Sequence, residues 1–214
     1  MTGKSTPPLC PKRTPPHGNA NVPPPRWQRA AALDEPDALY NLAVKHDHGR
    51  GGLGVDMDHM SAFELYKKAA EAGHSGAYCN MANMYREGRG VPEDLKLAAK
   101  CFEHAAQKDV AEAQFNLALM YYHGHGVRER ASVAVKWFSR AVEQDFSRAQ
   151  FMLGFMYEHG EGVAKDEGEA AKLYSKVGRW VGHEGGQCGN VSHISSSSFS
   201  FFLYPPPCSL PPTR

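Results

Sequence analysis

The sequence predicts an all-α protein, an α/α superhelical solenoid of four helix-turn-helix repeats of about 36 residues, with disordered termini. Three observations favour this fold: a recurring glycine motif, alanines that recur with it, and apolar residues at helical spacing. The motif is Gly-x-Gly-Val, and its copies are 36 residues apart, at 52–55, 88–91, 124–127 and 160–163. This period is typical of stacked helical hairpins, because one hairpin alone cannot bury its apolar face.

The first segment, residues 1–36, is predicted to be a disordered, proline-rich arm. It contains nine prolines and few large apolar side chains before Trp27, so it cannot bury enough surface to offset the entropy of ordering. Its first acidic residue is Asp34, which leaves a mitochondrial presequence as an alternative. The prolines oppose the amphipathic helix that a presequence needs, and the disordered arm is therefore preferred.

The repeat array is predicted to span residues 37–177. Its four repeats are placed at about 37–74, 75–110, 111–146 and 147–177. In the first helix of the third repeat, Ala113, Leu117 and Tyr121 follow one another at intervals of four residues and so share one helix face. The glycines after this helix adopt positive φ easily and are expected to end it.

The second helix of each repeat is predicted to begin after a capping residue. In three repeats this residue is an aspartate, namely Asp58, Asp94 or Asp166, which can accept hydrogen bonds from the free amides of the first turn. The third repeat has Arg130 there, so either Ser132 caps the helix or its end frays. Alanines recur inside this helix, each followed four residues later by an aromatic residue: Ala62, Ala98, Ala134 and Ala170, then Tyr66, Phe102, Phe138 and Tyr174. Alanines let two backbones approach closely while the aromatic rings fill the remaining space.

The segment from Ala149 to Ala170 resembles the motif of the Sel-1-like repeat family, which is Ala-x-x-x-Leu-Gly-x-Met-Tyr-x-x-Gly-x-Gly-Val-x-x-Asp-x-x-x-Ala. The resemblance covers about residues 37–177. The first copy departs from the motif, since it has Lys45 and His46 where Met-Tyr is expected and a turn three residues longer. The resemblance implies a tetratricopeptide-like scaffold or adaptor that binds another protein, or a peptide segment of it, through its concave face.

The candidate partner-binding residues lie on the first helices, on the face opposite the apolar stripe. They are Asn80, Asn83, Asn116, Leu119, Met152 and Phe155. In similar solenoids this face lines the concave groove, where asparagines can hydrogen-bond an extended peptide and apolar side chains can anchor it. The alternative is that the asparagines bridge adjacent helices and serve the fold alone.

The last segment, residues 178–214, is predicted to be a disordered, low-complexity tail. The repeat pattern stops at Val177, and the stretch from Ser192 to Pro212 is rich in serine, phenylalanine and proline. An alternative is a truncated last repeat, because Lys-Val-Gly followed by residues with pyrimidine-rich codons is typical of translation across a splice donor. In both cases the fourth repeat lacks a polar capping helix, which predicts self-association through its C-terminal end.

Composition indicates neither nucleic-acid binding nor a membrane span. The formal net charge is +1, and no stretch approaches the roughly eighteen consecutive apolar residues that a span needs. No triad of catalytic groups is evident, so we expect no enzyme activity and no cofactor. Five histidines flank the glycine turns, and we interpret them as solvated turn residues rather than metal ligands: His46, His48, His123, His125 and His159.

Two cysteines, Cys79 and Cys101, occupy apolar positions of the array and are interpreted as buried thiols. A disulfide between them is the alternative. Resemblance to the secreted, cysteine-rich branch of the family implies an alternative function, a β-lactam-binding or β-lactam-hydrolysing enzyme. That reading needs disulfides and an export signal; because no signal is evident, we expect a reducing, cytoplasmic location.

Overall fold

The computed structural model describes residues 35–49 and 57–181. Within these ranges the secondary structure consists of eight α-helices and no strand, which confirms the all-α prediction. The helices are α1 Pro36–His48, α2 His59–Glu71, α3 Ser75–Glu87, α4 Leu95–Gln107, α5 Ala111–His123, α6 Ala131–Glu143, α7 Ser147–His159 and α8 Glu167–Val181. The rest of the predicted arm and tail, together with the first Gly-x-Gly-Val, lies outside the described residues.

The helices stack in chain order. The first and second helix of each repeat pack as a hairpin, and the second helix of each repeat packs on the first helix of the next. This nearest-neighbour arrangement confirms the predicted solenoid of four helical hairpins. In the described part of the chain, none of these helices is long and apolar enough to cross a membrane.

Two helices extend past the expected ends of the array. Helix α1 begins at Pro36, the last residue assigned to the arm, because proline has a preset helical φ and its missing N–H is not needed in the first turn. Helix α8 continues to Val181, four residues past the expected boundary at 177. A single glycine at 178 costs a helix only about 1 kcal/mol and does not stop it.

The predicted caps of the second helices are confirmed in three repeats. Asp58, Asp94 and Asp166 each accept hydrogen bonds from first-turn amides at 2.9–3.1 Å. At the equivalent end of α6, Arg130 has an extended backbone, and no side chain of the described residues caps the helix. The three capped helices therefore have a local stabilisation that α6 lacks.

The alanine and aromatic pairs of the second helices form the centre of the solenoid. Ala62, Ala98 and Ala134 are fully buried, and so are Tyr66, Phe102 and Phe138, four residues after each. In the last repeat Ala170 is buried but Tyr174 is only half-buried, since no further described repeat packs on it. The predicted core is confirmed, and it loosens at the C-terminal end.

The two glycines of each turn have different roles. The first, as in Gly124, ends the first helix in the left-handed conformation with φ of 72°. The second also has positive φ and lies against the previous repeat: a Cβ on Gly126 would sit 2.2 Å from the carbonyl oxygen of Leu95. Gly90 and Gly162 make the equivalent close approach to His59 and Ala131. Each of the three described turns is thus fixed onto the start of the preceding second helix.

Candidate functional site

The six predicted partner-binding residues lie on α3, α5 and α7, and we call the surface they follow the first-helix face. Their exposure differs: Asn80, Asn83 and Phe155 are half-buried, whereas Asn116, Leu119 and Met152 are 8%, 9% and 2% exposed. Met152 packs in the apolar core with Phe115 and Phe138, so its side chain offers a partner almost no surface. Phe155 stacks on His159 with ring centroids 4.1 Å apart.

Asn80 connects two repeats. Its Nδ2 donates a hydrogen bond to Tyr40 Oη of α1 at 3.3 Å. Burial raises the pKa of Tyr40, so this hydroxyl remains protonated at neutral pH. The Tyr40 ring also stacks on His74, with centroids 4.1 Å apart. At Asn80 these contacts favour the alternative in which the asparagine bridges adjacent helices.

Asn83, one helical turn later, has no such bond. Its Oδ1 is buried, and no described residue donates a hydrogen bond to it. A buried acceptor without a donor costs about 1–3 kcal/mol, and such atoms are usually completed by an ordered water, an ion or a ligand; His46 Nδ1 and Tyr66 Oη are two further atoms of this kind among the described residues. Asn83 lies three residues before Arg86, and the two side chains therefore share one helix face.

A cleft opens where α3 and α5 meet, and we call it the α3–α5 cleft. It is a shallow depression that is open to solvent, and its enclosed part has a volume of about 20 Å³. Six of its lining residues come from three helices and one turn: Arg86 of α3, Leu95 of α4, Asn116, Leu119 and His123 of α5, and His125. Apolar side chains and hydrogen-bonding groups therefore meet within one small cavity.

The two histidines of the cleft are in contact with each other. The His123 and His125 rings stack with centroids 5.4 Å apart. Partial burial lowers the pKa of His123, the neighbouring His125 lowers it further, and Glu129 opposes them weakly. His123 is therefore a neutral hydrogen-bonding ring at neutral pH, and Arg86 supplies the permanent positive charge of the cleft.

The structure brings only two predicted residues, Asn116 and Leu119, into this cleft. It also places His123 and His125 at the edge of the cleft, and both are exposed, in agreement with their interpretation as solvated residues. The reason for their place at the cleft is the packing of Gly126 on Leu95, which draws the turn onto the previous repeat. Arg86 was not predicted from the sequence, because its register position faces the next turn only once the stacking of the repeats is known.

The cysteines of the array are free thiols. Cys79 is buried and Cys101 is half-buried, and no disulfide joins them. Burial raises the pKa of both thiols, as expected for core residues rather than reactive ones. The β-lactam alternative, which relied on bridged repeats, has no bridge at this pair. Nor do the described residues include a cluster of three or more ligands able to hold a metal ion.

Known proteins share this fold and sequence. Four consecutive segments match the Sel1 repeat, at residues 36–74, 75–110, 111–146 and 147–176. The chain is 33% identical to c5321, a protective antigen of uropathogenic Escherichia coli with an SLR fold, with a TM-score of 0.69 over 72% of this chain and 32% of that protein. It is 32% identical to a Sel1 repeat protein from Oxalobacter formigenes, with a TM-score of 0.65 over 70% and 60% of the two chains.

The chain thus spans about a third of the antigen's length and three fifths of the second protein's. The comparison with curated proteins gives no match. Sel1 repeat proteins generally act as scaffolds for protein interactions. Because four successive matches cover more than half of the sequence, the chain belongs to the Sel1 repeat family.

Proposed function

We propose that this protein is a scaffold that binds an extended segment of a partner protein along the first-helix face of α3, α5 and α7. The observation that carries the proposal is the buried, unpaired Oδ1 of Asn83 on this face. An extended peptide presents backbone N–H groups at regular intervals, and one of them can complete this acceptor once the half-buried Asn83 side chain turns its oxygen towards the surface. Binding then satisfies an atom that the free protein leaves without a donor.

Two apolar residues extend the proposed surface towards the C-terminal end of the array. Leu119 and Phe155 occupy the same position in consecutive repeats, 36 residues apart. Leu119 lines the α3–α5 cleft and is 9% exposed, and Phe155, at the equivalent position of the next repeat, is half-buried. A few partly buried apolar anchors of this kind usually supply most of the affinity for a peptide. Asn116 belongs to the proposed surface through the cleft, whereas two residues are left out of it: Met152, which is buried, and Asn80, which is bonded to Tyr40.

The asparagine pair provides a sharp experiment. The partner is first recovered by affinity purification with the full chain, and its affinity is then measured for Asn83→Ala and Asn80→Ala by calorimetry. Asn83→Ala should weaken binding by about 0.5–1.5 kcal/mol, the value of one hydrogen bond, while the melting temperature stays the same or rises. Asn80→Ala should lower the melting temperature, because it loses the bond to Tyr40, and should leave affinity per folded molecule unchanged.

A second pair tests the apolar anchors. Phe155→Ser should weaken partner binding more than Asn83→Ala does. The control is Leu97→Ser, which removes an exposed apolar side chain from α4, a second helix outside the proposed surface. Unchanged affinity in both Asn83→Ala and Phe155→Ser, with the fold intact, would show that the partner binds elsewhere.

Self-association through the fourth repeat stays a prediction that sedimentation can test. The large apolar side chains that are exposed among the described residues are Met57, Met60 and Leu97, all in the first two repeats. The cytoplasmic location also stays a prediction, with the free thiols of Cys79 and Cys101 as its support.

A further inference from the structure

Neighbouring repeats are joined by a polar contact that recurs in the same register. One residue near the end of the first helix faces the residue between the two glycines of the following repeat. At the first interface this pair is Asp47 and Arg89: Arg89 Nη1 donates to Asp47 Oδ1 at 2.5 Å, and the carboxylate is only 4% exposed. His59 Nδ1 lies 2.9 Å from the same oxygen. A buried carboxylate therefore completes this interface.

The third interface has the same contact with the roles exchanged. Tyr122 Oη of α5 donates to Glu161 Oε2, between Gly160 and Gly162, at 2.5 Å. Burial and this carboxylate both raise the pKa of Tyr122, so the hydroxyl remains a donor. Here the acid comes from the turn rather than from the helix, but a carboxylate again joins the two repeats.

The second interface lacks a carboxylate at both positions. The register places Arg86 opposite His125, two residues that donate hydrogen bonds, and both line the α3–α5 cleft. Arg86 Nη2 donates to Glu87 of its own helix at 3.0 Å, which uses one of the five donors of the guanidinium. The cleft lies where the other two interfaces have their acid, and it is open to solvent.

We propose that the α3–α5 cleft binds an acidic side chain of the partner peptide, with its carboxylate between Arg86 and His125. The carboxylate takes the place that Asp47 and Glu161 fill at the other interfaces. The next residue of the peptide is apolar and packs on Leu119 and Leu95, which line the same cleft. This inference rests on the proposed function and adds to it the chemistry of one recognised pair, an acidic residue followed by an apolar one.

The test uses short peptides and the full chain. Acetyl-Glu-Leu-amide is titrated into the protein while the ring signals of His123 and His125 are followed by NMR. It should shift both rings and bind roughly tenfold more tightly than acetyl-Gln-Leu-amide, since the carboxylate forms a hydrogen-bonded ion pair with Arg86 that the neutral amide cannot form. Acetyl-Gln-Leu with a free C-terminus should bind as weakly as the neutral amide.

Three variants assign the effect to the cleft. Arg86→Gln should remove the preference for glutamate over glutamine, whereas Arg140→Gln, on the exposed side of α6, should keep it. His125→Glu gives Arg86 an internal carboxylate like that of the third interface. This variant should raise the melting temperature and abolish the preference for glutamate over glutamine. A merely structural role of His125 would not produce both effects together.

The outcomes are distinct. Equal affinity of the two amides, no shift of either histidine ring, or an undiminished preference in Arg86→Gln overturns the inference. Tight binding by the free C-terminus overturns the assignment to a side chain. If the recovered partner still depends on Asn83 and Phe155 while the short peptides show no preference, this inference fails and the proposed function stands.

Discussion

At the scale of the residue, the turn motif separates two uses of glycine. At Gly88 a Cβ would lie 3.6 Å from the nearest atoms of Glu93, an ordinary contact, so this glycine is needed only for its left-handed backbone. At Gly90 a Cβ would lie 2.5 Å from the carbonyl oxygen of His59, so this glycine is needed for close packing between repeats as well. The motif thus encodes the end of one helix and the docking of one repeat on another.

This difference predicts unequal effects of alanine at the two positions. Gly88→Ala should destabilise the protein by about 1–2 kcal/mol, the cost of a side chain in left-handed backbone. Gly90→Ala should cost about 2–5 kcal/mol, because overpacking adds about 1–3 kcal/mol to that strain. Urea unfolding measures both changes. Equal effects at the two positions would contradict the assignment of Gly90 to the interface.

At the scale of the element, α6 differs from the other second helices at Arg130, the residue that precedes it and that does not cap it. The residue before each second helix donates a backbone hydrogen bond to a carbonyl of the first helix of the same repeat. Arg130 N donates to Tyr121 O at 2.8 Å, just as Asp94 N donates to Tyr85 O at 2.9 Å. The backbone at Arg130 therefore already has the geometry of a cap. Only the side chain is wrong for it, since arginine has no acceptor for the free amides.

Arg130→Asp should consequently stabilise the protein by about 1 kcal/mol, because its carboxylate can accept from first-turn amides as Asp94 does. The matched control is Arg128→Asp, which makes the same change of charge at an exposed turn residue two positions earlier. Urea unfolding of both variants separates the cap from general electrostatics. An equal gain in both would assign it to charge alone.

At the scale of the whole molecule, the sequence predicted the fold because each repeat carries its own local signals. The glycine turns, the capping aspartates and the alanine and aromatic pairs act within about 36 residues, and their repetition identifies them. The site was less accessible to prediction. Asn80 and Asn83 are the same residue type on the same helix, yet only Asn80 finds a partner, Tyr40, 40 residues away. The cleft likewise depends on Arg86 and His125 meeting across two repeats, which the register shows only once the stacking is known.

The stack also determines how far a local defect spreads. Asp47 joins three parts of the chain, since it lies in α1 and contacts His59 at the start of α2 and Arg89 in the turn after α3. Contacts in the solenoid run mainly between successive helices, so stability is close to a sum of repeats and of the interfaces between neighbours. Loss of the Asp47 carboxylate should therefore weaken the first repeat and its interface, and little beyond them.

Native-state hydrogen exchange measures this directly. In Asp47→Ala the amides of α1 and α2 should lose about 1–3 kcal/mol of protection, the range for hydrogen bonds to a charged group, and those of α5 to α8 should change by less than about 0.5 kcal/mol. Tyr122→Phe is the matched variant at the third interface, because it removes the bond to Glu161, and its losses should be confined to α5 to α8. The two patterns should not overlap, since no described helix pair packs the first repeat directly on the fourth. A uniform loss over all four repeats in both variants would mean that the array unfolds as one cooperative unit, and the nearest-neighbour account of its stability would be wrong.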